Sequence, residues 1–159
     1  MGYVFNMDEI FEMAEQIEKN GAEFYRKAAD GINKSPNKEL LVELAKMEDQ
    51  HQKTFALLRN QLSEGEKAPT VFDPDNEAVL YLRSLADIRV FFEKKIDVTS
   101  MEEILKAALL AEKDSIVFYL GMKALVPDDF GKEKIDNIIK EEMAHINLLS
   151  NKLVELKQA

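Results

Sequence analysis

The sequence predicts an all-α protein: a four-helix bundle built from two helical hairpins, joined by one long crossover connection containing a short helix. Three observations lead there. Apolar residues recur at three-and-four spacing over four long stretches, helix-starting and helix-stopping residues fall at their ends, and the two halves of the chain repeat one another.

The first stretch runs from Asn6 to Asp30, with Asn6 and Glu9 spaced as a capping box and Asp30-Gly31 as a stop. The second runs from Ser35 to about Ser63, with Ser35 as N-cap, Pro36 in the first helical position and Gly65 beyond its end. A turn of a few residues around Ile32 makes these two helices antiparallel neighbours. The third, Thr99 to about Val126, opens on a Thr99/Glu102 capping box, and the fourth, Asp128 to the end, follows a short turn at Pro127. The stretch between the hairpins, Glu64 to Val98, is too long for a structureless loop, and "NEAVLYLRSLADIRVFF" within it is amphipathic, which places a short helix at Asn76 to about Val90. With a long crossover between the hairpins, the first and third helices are expected to run parallel.

The chain has 159 residues, 46% hydrophobic and 32% charged, which suits one domain spanning 1–159. A net charge of -9, spread along the chain, disfavours nucleic acid and acidic membranes as partners. Neither a secretion signal nor an apolar run of the ~18 residues that cross a bilayer is present, so a cytoplasmic location is expected. There is no cysteine, so any metal must be held by oxygen and nitrogen.

"IEKNGAEFY" at Ile17 to Tyr25 resembles "AEKDSIVFY" at Ala111 to Tyr119, and "KMEDQH" at Lys46 stands to the first as "KEEMAH" at Lys140 stands to the second. One shift of 94 positions superimposes Glu18 on Glu112, Tyr25 on Tyr119, Glu48 on Glu142 and His51 on His145. Those are the only 2 histidines, each in a Glu-x-x-His pair on one helix face.

The apolar seam of the second helix reads Leu41, Leu44, Glu48, His51, Phe55, Leu58, Leu62, and that of the fourth reads Ile135, Ile138, Glu142, His145, Leu149. The first gives Phe11, Ala14, Glu18, Gly21, Tyr25 and the third Leu105, Ala108, Glu112, Ser115, Tyr119. Glu18, Glu48, His51, Glu112, Glu142 and His145 therefore point into the core, each roughly 20 Å of helix from its hairpin turn and so at one level. Burying one unpaired carboxylate costs several kcal/mol, and four repel one another, so cations must sit among them. Two divalent ions neutralise four glutamates, and carboxylate with imidazole suits iron or manganese, with zinc a competitor. Glu141 lies about 100° round the helix from Glu142 and is read as solvated. Phe24, Phe118 and the methionines read as core filler, and Gly21 and Ser115 as close-packing residues that could also leave room beside the metals.

This order of residues, with a tyrosine seven places after the first and third glutamates, resembles the diiron domain of the rubrerythrin branch of the ferritin-like superfamily over nearly the whole chain. The resemblance implies that Glu48 and Glu142 bridge the metals, that Glu18 and Glu112 are terminal carboxylates and His51 and His145 terminal imidazoles, and that Tyr25 and Tyr119 lie beside them. It implies a dimetal-carboxylate oxidoreductase that reduces peroxide or dioxygen and takes electrons from an external donor such as a rubredoxin. Two features depart from that pattern: Ser115 stands where rubrerythrins carry a further glutamate, and there is no cysteine-ligated rubredoxin module. The alternatives are ferroxidase-type iron binding or storage, and metals that serve only as a structural staple. A homodimer exchanging hairpins through the crossover would leave the site chemistry intact.

Overall fold

The computed structural model describes residues 7–33, 35–62, 96–126 and 130–158. The Asn6 cap, the short helix at 76–90 and the Pro127 turn lie outside the described residues. Among those described there are four helices and no strand: α1 (Met7–Gly31), α2 (Ser35–Asn60), α3 (Met101–Leu125) and α4 (Lys132–Gln158). None is long and apolar enough to cross a membrane.

Every seam residue read from the sequence is buried. The apolar members form two clusters, one at each end of the bundle. One joins Ile10, Phe11 and Ala14 of α1 to Phe55 and Leu58 of α2, Tyr119 and Met122 of α3, and Ile135 and Ile138 of α4. The other joins Tyr25 and Ala28 of α1, Leu41 and Leu44 of α2, Ile104 and Leu105 of α3, and Leu149 of α4. The buried glutamates and histidines form a polar layer between them.

These clusters correct the expected helix directions. The start of α1 shares a cluster with the end of α3, so α1 and α3 are antiparallel, not parallel. The end of α2 and the start of α3 lie in opposite clusters, so α3 runs parallel to α2. The sequence repeat shows that the hairpins are alike; it does not show how they face each other.

Ion pairs hold each hairpin in register. Arg59, at the end of α2, forks onto both carboxylate oxygens of Asp8 at 2.8 and 3.0 Å and reaches Glu15 at 3.1 Å, while Lys123 of α3 meets Asp136 of α4 at 2.6 Å.

Two helix starts differ from expectation. Thr99 does not cap α3, because the Asp97 side chain accepts hydrogen bonds from both the backbone N–H and the hydroxyl of Thr99, at 2.9 and 2.5 Å. Ser100 caps instead, its hydroxyl accepting from the Glu103 N–H at 3.3 Å. α4 begins at Lys132 rather than Asp128, after Gly131 at φ 73°, a left-handed conformation that favours glycine. A Cβ at Gly131 would also come within 3.0 Å of Leu58 Cδ2, and the neighbouring Phe130 packs edge-on against Phe11 with ring centres 5.9 Å apart. The residues before α4 thus close one end of the core.

Candidate metal centre

The polar layer is assembled by all four helices, since α1 and α3 each contribute a glutamate and α2 and α4 each a Glu-x-x-His. All six side chains are at most 3% exposed. Their ligand atoms fall into two overlapping groups: Glu18, Glu48, His51 and Glu142, and Glu48, Glu112, Glu142 and His145. Within each group, one ligand atom per residue lies within 4.8 Å of the others. All six expected site residues are therefore brought together, and Glu48 and Glu142 are common to both groups.

Glu142 faces both ways. Its Oε1 accepts from His51 Nδ1 at 2.9 Å and its Oε2 from His145 Nδ1 at 3.0 Å. The two imidazole rings are stacked 5.7 Å apart, both with Nδ1 turned inward. Glu48 approaches His145 through Oε1 at 3.3 Å and packs its other oxygen against Gly21, where a Cβ would lie 3.0 Å from Oε2. Gly21 therefore lets α1 close over the Glu48 carboxylate, which supports the close-packing reading of that position. At the pseudo-equivalent position, Ser115 turns its hydroxyl to its own helix and donates to the Ala111 carbonyl at 3.0 Å.

Tyr25 and Tyr119 lie beside the site as expected. The Tyr25 hydroxyl donates to Glu112 Oε1 at 2.6 Å, and that of Tyr119 donates to Glu18 Oε1. Burial and the adjacent carboxylates hold both phenols protonated, with pKa values well above the usual range.

The protons are distributed as the charges require. Burial, reinforced by the neighbouring carboxylates, raises Glu18 and Glu112 well above the ordinary carboxylate range. Burial also opposes charge on Glu142, but hydrogen bonds from Glu112, His145 and His51 outweigh it and lower its pKa. Against burial, Glu112, Glu142 and Glu48 push His145 up to about 12, and Glu142 with its neighbours raises His51. Without metal, protons occupy the place of cations in this layer. The residues fit a pair of metals: Glu18 Oε2, Glu48 Oε1 and Glu112 Oε2 are buried without a hydrogen-bond partner among the described residues, although oxygens so placed ordinarily have one.

Glu141 is the contact of the site that the sequence reading missed. Its carboxylate accepts from His51 Nε2 at 2.6 Å while remaining half exposed in a cavity of about 290 Å³ between α2 and α4, so it is not simply solvated. An adjacent Glu-Glu pair carries no signal for this, because the contact depends on how α4 faces α2.

The rubrerythrin family model matches residues 9–149. The chain belongs to the rubrerythrin family. Among solved structures, the crystal structure of a Thermotoga maritima protein assigned to the ferritin-like diiron-carboxylate class is similar over 98% of this chain and 99% of its own. The TM-score is 0.71 at 23% identity, a likeness that establishes the ferritin-like fold. No curated protein matches the chain. In this rubrerythrin-family chain, the buried Glu/His cluster suggests a site for two metal ions.

Proposed function

We propose that this chain is a dimetal-carboxylate oxidoreductase that reduces hydrogen peroxide or dioxygen, with two iron ions held by Glu18, Glu48, His51, Glu112, Glu142 and His145. The observation that carries the reading is the overlap of the two ligand groups at Glu48 and Glu142, with the two oxygens of Glu142 divided between the two imidazoles. Two ferrous ions held there would supply the two electrons that, with two protons, reduce one peroxide to two waters.

The protein's part is to hold and to exclude. Glu48 and Glu142, common to both ligand groups, would be shared by the two metals, and Glu18 and Glu112 would each serve one of them. Tyr119 and Tyr25 fix one oxygen of each terminal carboxylate, leaving the other oxygen free to bind. The apolar clusters at either end keep bulk water from the layer. With no cysteine in the chain, renewed reduction draws on an external donor of the rubredoxin type.

The test is stopped-flow absorbance of anaerobic iron-loaded protein mixed with peroxide or oxygen, followed by a rubredoxin with its reductase. Oxidation followed by re-reduction over repeated cycles is expected. Inertness to both oxidants would reduce the metals to a structural staple, and oxidation with no re-reduction by any donor would favour iron uptake.

A further inference from the structure

The two halves of the site differ at one point that the repeat makes easy to see. The distal nitrogen of His51 donates to Glu141 at 2.6 Å, whereas Nε2 of His145 is buried with no partner among the described residues. The 94-residue shift that superimposes the candidate ligands pairs Glu141 with Met47, whose side chain has no oxygen to accept that hydrogen bond. One imidazole is therefore backed by a carboxylate and its twin is not.

We propose that Glu141 is a positioning residue for His51 that makes the two metal positions unequal, so that the group containing His51 fills first and the group containing His145 fills second and more weakly. This rests on the two-metal reading above. Once a cation takes the place of the Nδ1 proton, a carboxylate accepting the Nε2–H keeps the lone pair on Nδ1, the nitrogen already turned toward Glu18 and Glu142 at 3.4 and 2.9 Å. It also draws the N–H bond electrons toward the ring, making Nδ1 a better donor to a cation. His145 must find its orientation without that restraint. Glu141 is well placed for such a role, since its carboxylate is 54% exposed and reaches the ligand from the cavity rather than from the core.

The experiment is anaerobic titration of the metal-free full-length chain with cobalt(II), read by calorimetry and by visible absorption, for wild type, Glu141→Gln, His51→Ala and the double variant. Wild type should bind in two resolved steps. Glu141→Gln should weaken the first step by about 10- to 100-fold, leave the second unchanged and bring the two together. In the His51→Ala background the same substitution should have no effect, because Glu141 acts only through that ring. The metal-free Glu141→Gln protein should melt cooperatively and only slightly below wild type, the loss of one half-exposed charged contact, whereas a structural role would lower melting without distinguishing between the two binding steps. Weakening of both steps alike, of the second alone or of neither overturns the inference, as does an undiminished effect without His51. Wild-type protein that takes up no cobalt would instead overturn the two-metal reading, and this inference with it.

Discussion

The hydroxyl of Tyr25 in the first hairpin donates a 2.6 Å hydrogen bond to Glu112 in the second, and Tyr119 of the second returns the contact to Glu18 of the first. Each hairpin thus fixes a carboxylate of the other. The antiparallel course of α1 and α3 brings each tyrosine, two turns along its own helix from one glutamate, within reach of the glutamate of the other hairpin.

Removing either hydroxyl should therefore harm the site more than the core. Tyr25→Phe keeps the ring but strands a buried carboxylate oxygen, a loss of about 1–3 kcal/mol. Thermal melting of the metal-free protein should show that loss, and Tyr119→Phe a similar one through Glu18. Bound metal should recover part of it by taking up the freed oxygen. Equal melting of wild type and both variants would show that the hydroxyls do not restrain the glutamates.

The pKa shifts set a direction with pH. Glu18, Glu112, His51 and His145 all have raised values in the metal-free fold, so each contributes stability that is full below its unfolded pKa and is lost as pH rises through the folded one. Glu142 is shifted the opposite way, but its contribution is lost only as pH falls below the ordinary carboxylate range. Metal-free protein should therefore melt at progressively lower temperature from about pH 5 upward, with the His145 part extending from 6.5 toward about 12. Metal must displace these protons, so its affinity should rise with pH, and binding in weak buffer should acidify the solution. Melts at pH 6 and pH 9, with chelator and with manganese(II), give the test: stability that rises with pH under chelator would contradict the assignment.

Loading should also have a fixed stoichiometry. Iron-loaded and dialysed protein should hold close to two metals per chain, and saturating metal at about 100 times Kd should add about 2.7 kcal/mol per site by mass action. Glu48→Ala and Glu142→Ala should each impair both positions, whereas Glu18→Ala or His51→Ala should impair one. Elemental analysis that shows the same loss for all four variants would remove the case for shared bridging carboxylates.

Much of this was legible in the sequence for one physical reason. A charged residue inside an apolar three-and-four seam is buried at a cost, and six such residues at one depth declare a polar layer before any coordinates exist. What escaped depended on relations between helices. The repeat could not orient α3 against α1, and Glu141 sat off the seam, although the outer nitrogen of His51 is directed between α2 and α4 rather than into the core. The one-residue slip from Thr99 to Ser100 had a local cause, since Asp97 had already engaged Thr99.

Gly21 offers the sharpest separation of site from fold. In the middle of α1 a glycine costs a helix about 1 kcal/mol relative to alanine, so Gly21→Ala should improve helix formation. The added methyl, however, would stand 3.0 Å from Glu48 Oε2, nearer than ordinary van der Waals contact. A carboxylate at the end of a flexible side chain can move a few tenths of an ångström to relieve this, so the metal-free protein should melt at or above the wild-type temperature. That same movement displaces an oxygen of a residue common to both ligand groups, so affinity should fall at both metal positions together. Cobalt(II) titration alongside melting of the metal-free protein reads the two effects separately. Unchanged affinity would mean that Glu48 does not bind through the oxygen packed on Gly21, and a lower melting temperature would mean that the close approach of α1 to Glu48 is a requirement of the fold and not of the site.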